Sequence, residues 1–343
     1  MAKTNAGRFF EDYTVGETIR HAVPRTVSGG ERALYHALYP ARHALYSSDE
    51  FARGCGLPSS PLDDIAAFHV VFGKTVPDIS LNALANLGYA EGRWLRPVYV
   101  GDTIHSTSEV IGVKQNSNGK SGVVWVRTRG MNQRAEVVLD YVRWAMVRKR
   151  DEGSPAPEAV IPALKPALEA SDLVIPEGLD FTAYDFTLAG EPHRWGDYAV
   201  GEQIDHVDGV TVEEAEHMMA TRLWQNTAKV HFDVGARPDG RRLIYGGHVI
   251  SMARALSFNG LANAQVVAGL NGGVHANPCY AGDTIRAWSE VLDKAETSAP
   301  GVGALRLRLV ATKGGAAFAL KGEDGRYLPH VMLDLDYWAL MPI

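Results

Sequence analysis

Ten residues of this chain, Trp224-Gln-Asn-Thr-Ala-Lys-Val-His-Phe-Asp233, hold an imidazole, an amide and a carboxylate within a short stretch. The His231 imidazole titrates near neutral pH and is suited to take and return a proton. Asp233 could support that ring or could be plain surface charge. Asn226 could face a site or could cap a helix end, a common job for asparagine. A second stretch, Ile244-Tyr-Gly-Gly-His-Val249, leads into an apolar helix pattern. A helix N-terminus offers free amides and a partial positive charge to a developing oxyanion, and glycines let a ligand approach that backbone closely.

These segments belong to one half of a duplicated chain. Tyr99-Val-Gly-Asp-Thr-Ile104 followed by Ser108-Glu-Val110 recurs as Tyr280-Ala-Gly-Asp-Thr-Ile285 followed by Ser289-Glu-Val291. So long a spacing indicates two copies of one domain and not a solenoid. Each copy opens alike, Glu11-Asp-Tyr-Thr-Val-Gly-Glu17 and Gly196-Asp-Tyr-Ala-Val-Gly-Glu202. A helix start follows in each, with Ser28 and Glu31, and Thr211 and Glu214, at capping-box spacing. A second helix is marked by Ile65, Phe68, His69 and Phe72 in one copy and by Val249, Met252, Ala253 and Leu256 in the other. His69 and His248 occur in both copies at nearby places, which favours packing over chemistry. Alternating strands come next, at Val124–Arg129 and Leu305–Leu309, and each copy closes on a strand, Leu139–Ala145 and Leu335–Ala339. The reading is an α+β fold, with a central helix wrapped by a curled antiparallel sheet in each copy and the two sheets meeting edge to edge. It assigns 1–150 to the first repeat, 151–180 to a connector rich in proline and 181–343 to the second repeat. At the place of His231 the first copy has Tyr46, in Ala41-Arg-His-Ala-Leu-Tyr46, so only the second keeps the imidazole.

The bulk properties narrow the class. The 343 residues suit two domains, and 46% hydrophobic residues suffice for two cores. A net charge of −6 argues against a nucleic-acid surface. Cys55 and Cys279 have neither metal-type nor disulfide-type spacing, and no apolar run is long enough to span a bilayer. The expectation is a cytoplasmic protein with no metal, no nucleic acid and no membrane.

The segment around His231 resembles the R-specific enoyl-CoA hydratase (MaoC-like) family of hot-dog folds, which carries Asp-x-Asn-Pro-x-His followed two residues later by Asp. His231 and Asp233 match; Asn226 stands where the family has a catalytic aspartate, and Ala228 and Lys229 replace Asn-Pro. An amide cannot accept a proton as a carboxylate does. The resemblance extends nearly full length through Phe72-Gly-Lys-Thr-Val-Pro-Asp-Ile-Ser-Leu-Asn82, Asn86-Leu-Gly-Tyr-Ala-Glu91 and Leu139-Asp-Tyr-Val-Arg-Trp144. It implies a double hot-dog and reversible addition of water to mesaconyl-C1-CoA, giving β-methylmalyl-CoA, in acetyl-CoA or glyoxylate assimilation. It implies catalytic His231, Asn226 and Asp233, with Gly247, Gly246 and Tyr245 around the thioester oxygen. The substrate carboxylate and the CoA phosphates need cations, and Arg96, Arg42, Arg93, Arg222 and Lys229 are the candidates, which sequence alone does not rank. No cofactor is expected, CoA being part of the substrate, and a homodimer is plausible by analogy. A fold does not fix function. Other enoyl-CoA hydratases, hydroxyacyl dehydratases, an acyl-CoA thioesterase and a non-catalytic acyl-CoA binding protein stay open. The thioesterase is the weaker rival, because its usual acid is missing between His248 and Asn259.

Overall fold

Two buried helices and the sheet that curls around them organise the molecule. The computed structural model describes residues 3–315 and 318–343. The first half runs β1 (Thr18–Thr26), α1 (Gly29–Leu38), α2 (Ala44–Ser47), α3 (Asp49–Gly54), α4 (Asp64–Thr75), β2 (Ala83–Trp94), β3 (Thr103–Gln115), β4 (Ser121–Met131) and β5 (Val137–Arg148). The second runs α5 (Phe186–Ala189), β6 (Gln203–Thr211), α6 (Glu214–Leu223), α7 (Gly246–Leu256), α8 (Phe258–Leu261), β7 (Val266–His275), β8 (Thr284–Glu296), β9 (Val302–Thr312) and β10 (Val331–Pro342). The strands form one antiparallel sheet in the order β1-β3-β4-β5-β2-β7-β10-β9-β8-β6, so the second half repeats the first in reverse. The joint is β2 against β7, Gly92 opposite Leu270 and Arg93 opposite Gly269.

The sequence pattern explains this packing. In β3 burial alternates from Ile104 to Val110, as a strand with one wet face requires. Every residue of α4 is buried, and α7 is buried from Gly247 to Leu256, because the sheet covers their outer faces and the helices meet each other inside. Phe68, Val71, Met252 and Leu256 belong to the single large core that joins both halves. Each such side chain contributes ~1.5–3 kcal/mol by leaving water. The connector that follows β5 adds a single β-bridge, Val160 to Val113, before a short 3-10 turn at Ala170–Asp172. It touches both halves: Val160 pairs with β3, and the Leu168 carbonyl accepts the Trp338 indole N–H at 3.1 Å.

One expected helix start is wrong. Ser28 and Glu31 do form a capping box before α1, but Thr211 ends strand β6 and α6 is capped at Glu213. The Thr211 hydroxyl pairs across the sheet with that of Thr284 at 2.8 Å and so is not free to cap.

Candidate active site

A cavity of about 370 Å³ opens where the start of α7 faces β2 and β5 of the other half. Its apolar wall includes Phe72, Val76, Leu84, Val230, Ile244, Val249 and Met332. Its polar groups are Ser80, Asn86, Tyr89, Arg143, Asn226, His231, Tyr245, His275 and Asn277, with the backbone of Gly246. An apolar cleft with a few convergent polar groups is the usual form of a small-molecule site.

His231 closes the 3-10 turn Lys229–His231 and is buried. Two main-chain stitches hold it: the Leu243 N–H donates to the Val230 carbonyl at 2.9 Å, and His231 Nδ1 donates to the Leu243 carbonyl at 2.7 Å. That second bond fixes the tautomer and leaves Nε2 as a bare acceptor with no protein partner among the described residues. Burial depresses the imidazole to about 4, with the Leu243 carbonyl opposing, so at neutral pH the ring is an unprotonated base.

Asn226 is 2% exposed and lies on the cavity wall. Its Oδ1 accepts from the Ala228 N–H at 3.2 Å, which turns the NH₂ group away from that turn. Its place depends on Gly73: a Cβ there would stand 1.6 Å from the Trp224 carbonyl oxygen, so only glycine lets this chain lie against α4.

The start of α7 is set by His217, whose Nε2 accepts from the Tyr245 N–H at 2.9 Å. Among the described residues the amides of Gly246 and Gly247 have no acceptor. Gly246 borders the cavity; Gly247 lies behind it, against Tyr245 and His69. A Cβ on Gly246 would come within 2.4 Å of the His275 ring. Tyr245 faces the His231 ring at 5.8 Å between centroids, and burial keeps its hydroxyl protonated.

Two expectations fail. Asp233 is exposed and accepts from the Gly235 N–H at 2.8 Å as cap of the next turn, while the Leu243 carbonyl orients His231 in its stead. Arg96 is half exposed, stands 3.9 Å from Glu136 and borders a different surface groove. Nor do Arg42, Arg93, Arg222 or Lys229 reach the cavity wall. The cation there is Arg143, from β5 of the other half. Comparing the copies could have flagged it: Leu139-Asp-Tyr-Val-Arg-Trp144 carries an arginine where Leu335-Asp-Tyr-Trp-Ala339 ends in alanine. His275, whose Nε2 lies 3.3 Å from the Tyr89 hydroxyl, was also missed; burial depresses it to about 4. His69 and His248 prove to be packing groups: His69 bonds Ser251 at 2.7 Å and Tyr245 at 3.2 Å, and His248 bonds Tyr39 at 3.1 Å.

Among the described residues no cluster of His, Cys, Asp and Glu could hold a metal ion, and no helix is long and apolar enough to cross a membrane.

A base with a free Nε2 beside unpaired helix-start amides suits proton transfer next to a carbonyl. Comparison with known proteins agrees. The family model described as mesaconyl-CoA hydratase matches residues 1–319. The chain is 77% identical over 341 residues to mesaconyl-CoA hydratase of Cereibacter sphaeroides, covering 99% of both chains. It is 56% identical over 349 residues to beta-methylmalyl-CoA dehydratase of Chloroflexus aurantiacus, again covering 99% of both. A crystal structure of a MaoC domain protein from Chloroflexus aurantiacus superposes with a TM-score of 0.97 at 55% identity, covering 100% of this chain and 99% of the other. The double hot-dog is thus that of a known group, and the chain belongs to the mesaconyl-CoA hydratase family.

Proposed function

We propose that this chain is a hydro-lyase that adds water reversibly to mesaconyl-C1-CoA to give β-methylmalyl-CoA. The observation that carries the reading is the convergence of the His231 Nε2 face and the Gly246 backbone on one cavity, in a chain of this family.

In the hydration direction, Nε2 of neutral His231 takes a proton from water as the water oxygen bonds to the β-carbon. The electron pair of the double bond moves toward the thioester oxygen, where the free Gly246 amide at the α7 start opposes the growing charge. The imidazolium then returns its proton to the α-carbon, and the carbonyl re-forms. Asn226, with Oδ1 engaged by Ala228, presents its NH₂ group to the oxygen of water or of the β-hydroxyl. Tyr245 and the apolar wall exclude bulk water, which strengthens the amide dipoles.

In this reading residues 181–343 supply the proton-transfer groups and residues 1–150 shape the opposite wall. The protein is a cytoplasmic enzyme that uses no cofactor, and two copies associate as a dimer. The test is a spectrophotometric enoyl-thioester assay with mesaconyl-C1-CoA, fumaryl-CoA and crotonyl-CoA after exhaustive dialysis against a chelator. The expected outcome is highest kcat/KM on mesaconyl-C1-CoA with no metal requirement. Preference for crotonyl-CoA would contradict the substrate assignment, and thioester cleavage in place of hydration would contradict the reaction.

A further inference from the structure

We propose that Arg143 is the receptor for the free carboxylate of the substrate and thereby the residue that selects a dicarboxylic monothioester; this rests on the hydratase reading above. Arg143 is 0% exposed and belongs to the cavity wall. Its guanidinium lies over the Phe72 ring at 4.3 Å, and Nη2 donates to the Thr75 hydroxyl at 2.7 Å. The Ser80 hydroxyl stands 3.4 Å from both terminal nitrogens. Its Nε–H is buried and has no acceptor. Among the described residues no carboxylate comes within 4.0 Å of it.

An arginine in this state is incomplete. Burying a charge costs several kcal/mol unless a counter-ion and hydrogen bonds compensate. The other buried arginine of the core, Arg254, also lacks a carboxylate within 4.0 Å among the described residues but engages more groups. Arg254 donates to His43 at 2.6 Å, to Ser257 at 3.1 Å and to the Ala264 carbonyl, and it acts electrostatically on buried Asp63. Arg143 has two neutral hydroxyls and a π-face, and it borders the cavity. Asn86, on the same wall, has both amide atoms buried without partners. A planar anion fits this pair: the unpaired Nε beside a terminal nitrogen is a fork for the two oxygens of a carboxylate, and the Asn86 NH₂ adds a donor.

The substrate supplies that group. Mesaconyl-C1-CoA carries a carboxylate on the carbon that receives water. Anchoring it on β5 while α7 holds the thioester oxygen stretches the four-carbon chain between the halves, with its double bond beside His231. A monocarboxylic enoyl thioester would leave Arg143 without a counter-ion. A site built to bond a polar group discriminates by ~10⁴-fold against an analogue lacking it.

The experiment compares wild type, R143Q and R143K on mesaconyl-C1-CoA and on crotonyl-CoA, which lacks the carboxylate. Crotonyl-CoA is followed as substrate or, where turnover is too slow, as competitive inhibitor, with thermal melting as the check on folding. R143Q is expected to lose ~10²–10⁴ in kcat/KM on mesaconyl-C1-CoA while its crotonyl-CoA constant stays within ~3-fold of wild type. R143K, which keeps the charge and loses the fork, is expected to lose ~10-fold or more with the same selectivity, and it carries the test if R143Q does not fold. Equal losses on both thioesters, or none on mesaconyl-C1-CoA, overturn the assignment. The wild-type arm reports on the functional reading alone, since failure there precedes any variant.

Discussion

The starts of α4 and α7 occupy equivalent places in the two halves, yet one is a site and the other a plug. At α7 the first residue is Gly246, whose amide is free and borders the cavity of about 370 Å³. At α4 the first residue is Asp64, whose carboxylate accepts the Val267 N–H at 2.8 Å and the Tyr46 hydroxyl. About 10 Å³ of space remains beside it. Burial raises Asp64 to about 7. Tyr46 sits at the third residue of its turn after the N-cap, as His231 does, so the hydroxyl that fills the plug replaces the imidazole that serves the site. Arg254 behind the plug donates to His43, Ser257 and the Ala264 carbonyl, whereas the Arg143 Nε–H at the site is buried without an acceptor. On a shared scaffold, then, the site is the helix start around which polar groups of both halves, Gly246 and Arg143 among them, lack internal partners and leave room for a ligand to supply them.

The sharpest way to break this comparison is to give α7 a side chain at its first residue. G246A puts a methyl group within 2.4 Å of His275 and crowds the free amide. The expected loss in kcat is ~10²–10³, the size of one oxyanion donor. D64A in the other half leaves the Val267 amide and Tyr46 hydroxyl unpaired. It is expected to cost ~1–3 kcal/mol of stability in urea titration while kcat changes little. A similar kcat loss in both variants would show that the halves are not divided in this way.

A smaller effect concerns pH. Burial depresses His43, His69, His206, His217, His231, His248 and His275 below the ordinary 6.5, to about 4 for His231 and about 3 for His69. Between 6.5 and about 4 the unfolded chain binds protons that the native protein refuses, so stability falls as pH falls. Each fully protonated group contributes ~1.4 kcal/mol per pH unit. Asp63 and Asp64, with raised values, act in the opposite sense above 3.8 but are outnumbered. The urea midpoint is expected to drop between about pH 7 and about pH 5.5, and an unchanged midpoint would mean these rings are not held neutral.

The duplication, both central helices and the closing strands were legible in the sequence because each rests on periodic apolar spacing that recurs. His231 was legible because its twin is Tyr46, and Gly246 because glycines precede the apolar pattern of α7; Gly247, named with it, lies behind the cavity. Asp233 misled because the group that orients the His231 ring is a main-chain carbonyl, Leu243, which leaves no trace in residue type. Arg96 misled, and Arg143 was missed, for one reason: the wall facing α7 is made by β2 and β5 of the opposite half, brought there by the β2–β7 joint. Aligning the repeats compares equivalent positions but does not show which positions face each other. Thr211 has the spacing of a cap, but its hydroxyl is taken by Thr284.

The central claim is that proton transfer to and from the α-carbon runs through His231 alone of the two equivalent positions. The direct measurement is exchange of the α-hydrogen of β-methylmalyl-CoA in D₂O, followed by mass spectrometry for wild type, H231A and Y46F. The account expects H231A to lose ~10²–10⁴ in exchange rate while Y46F exchanges at nearly the wild-type rate. Undiminished exchange in H231A would contradict it.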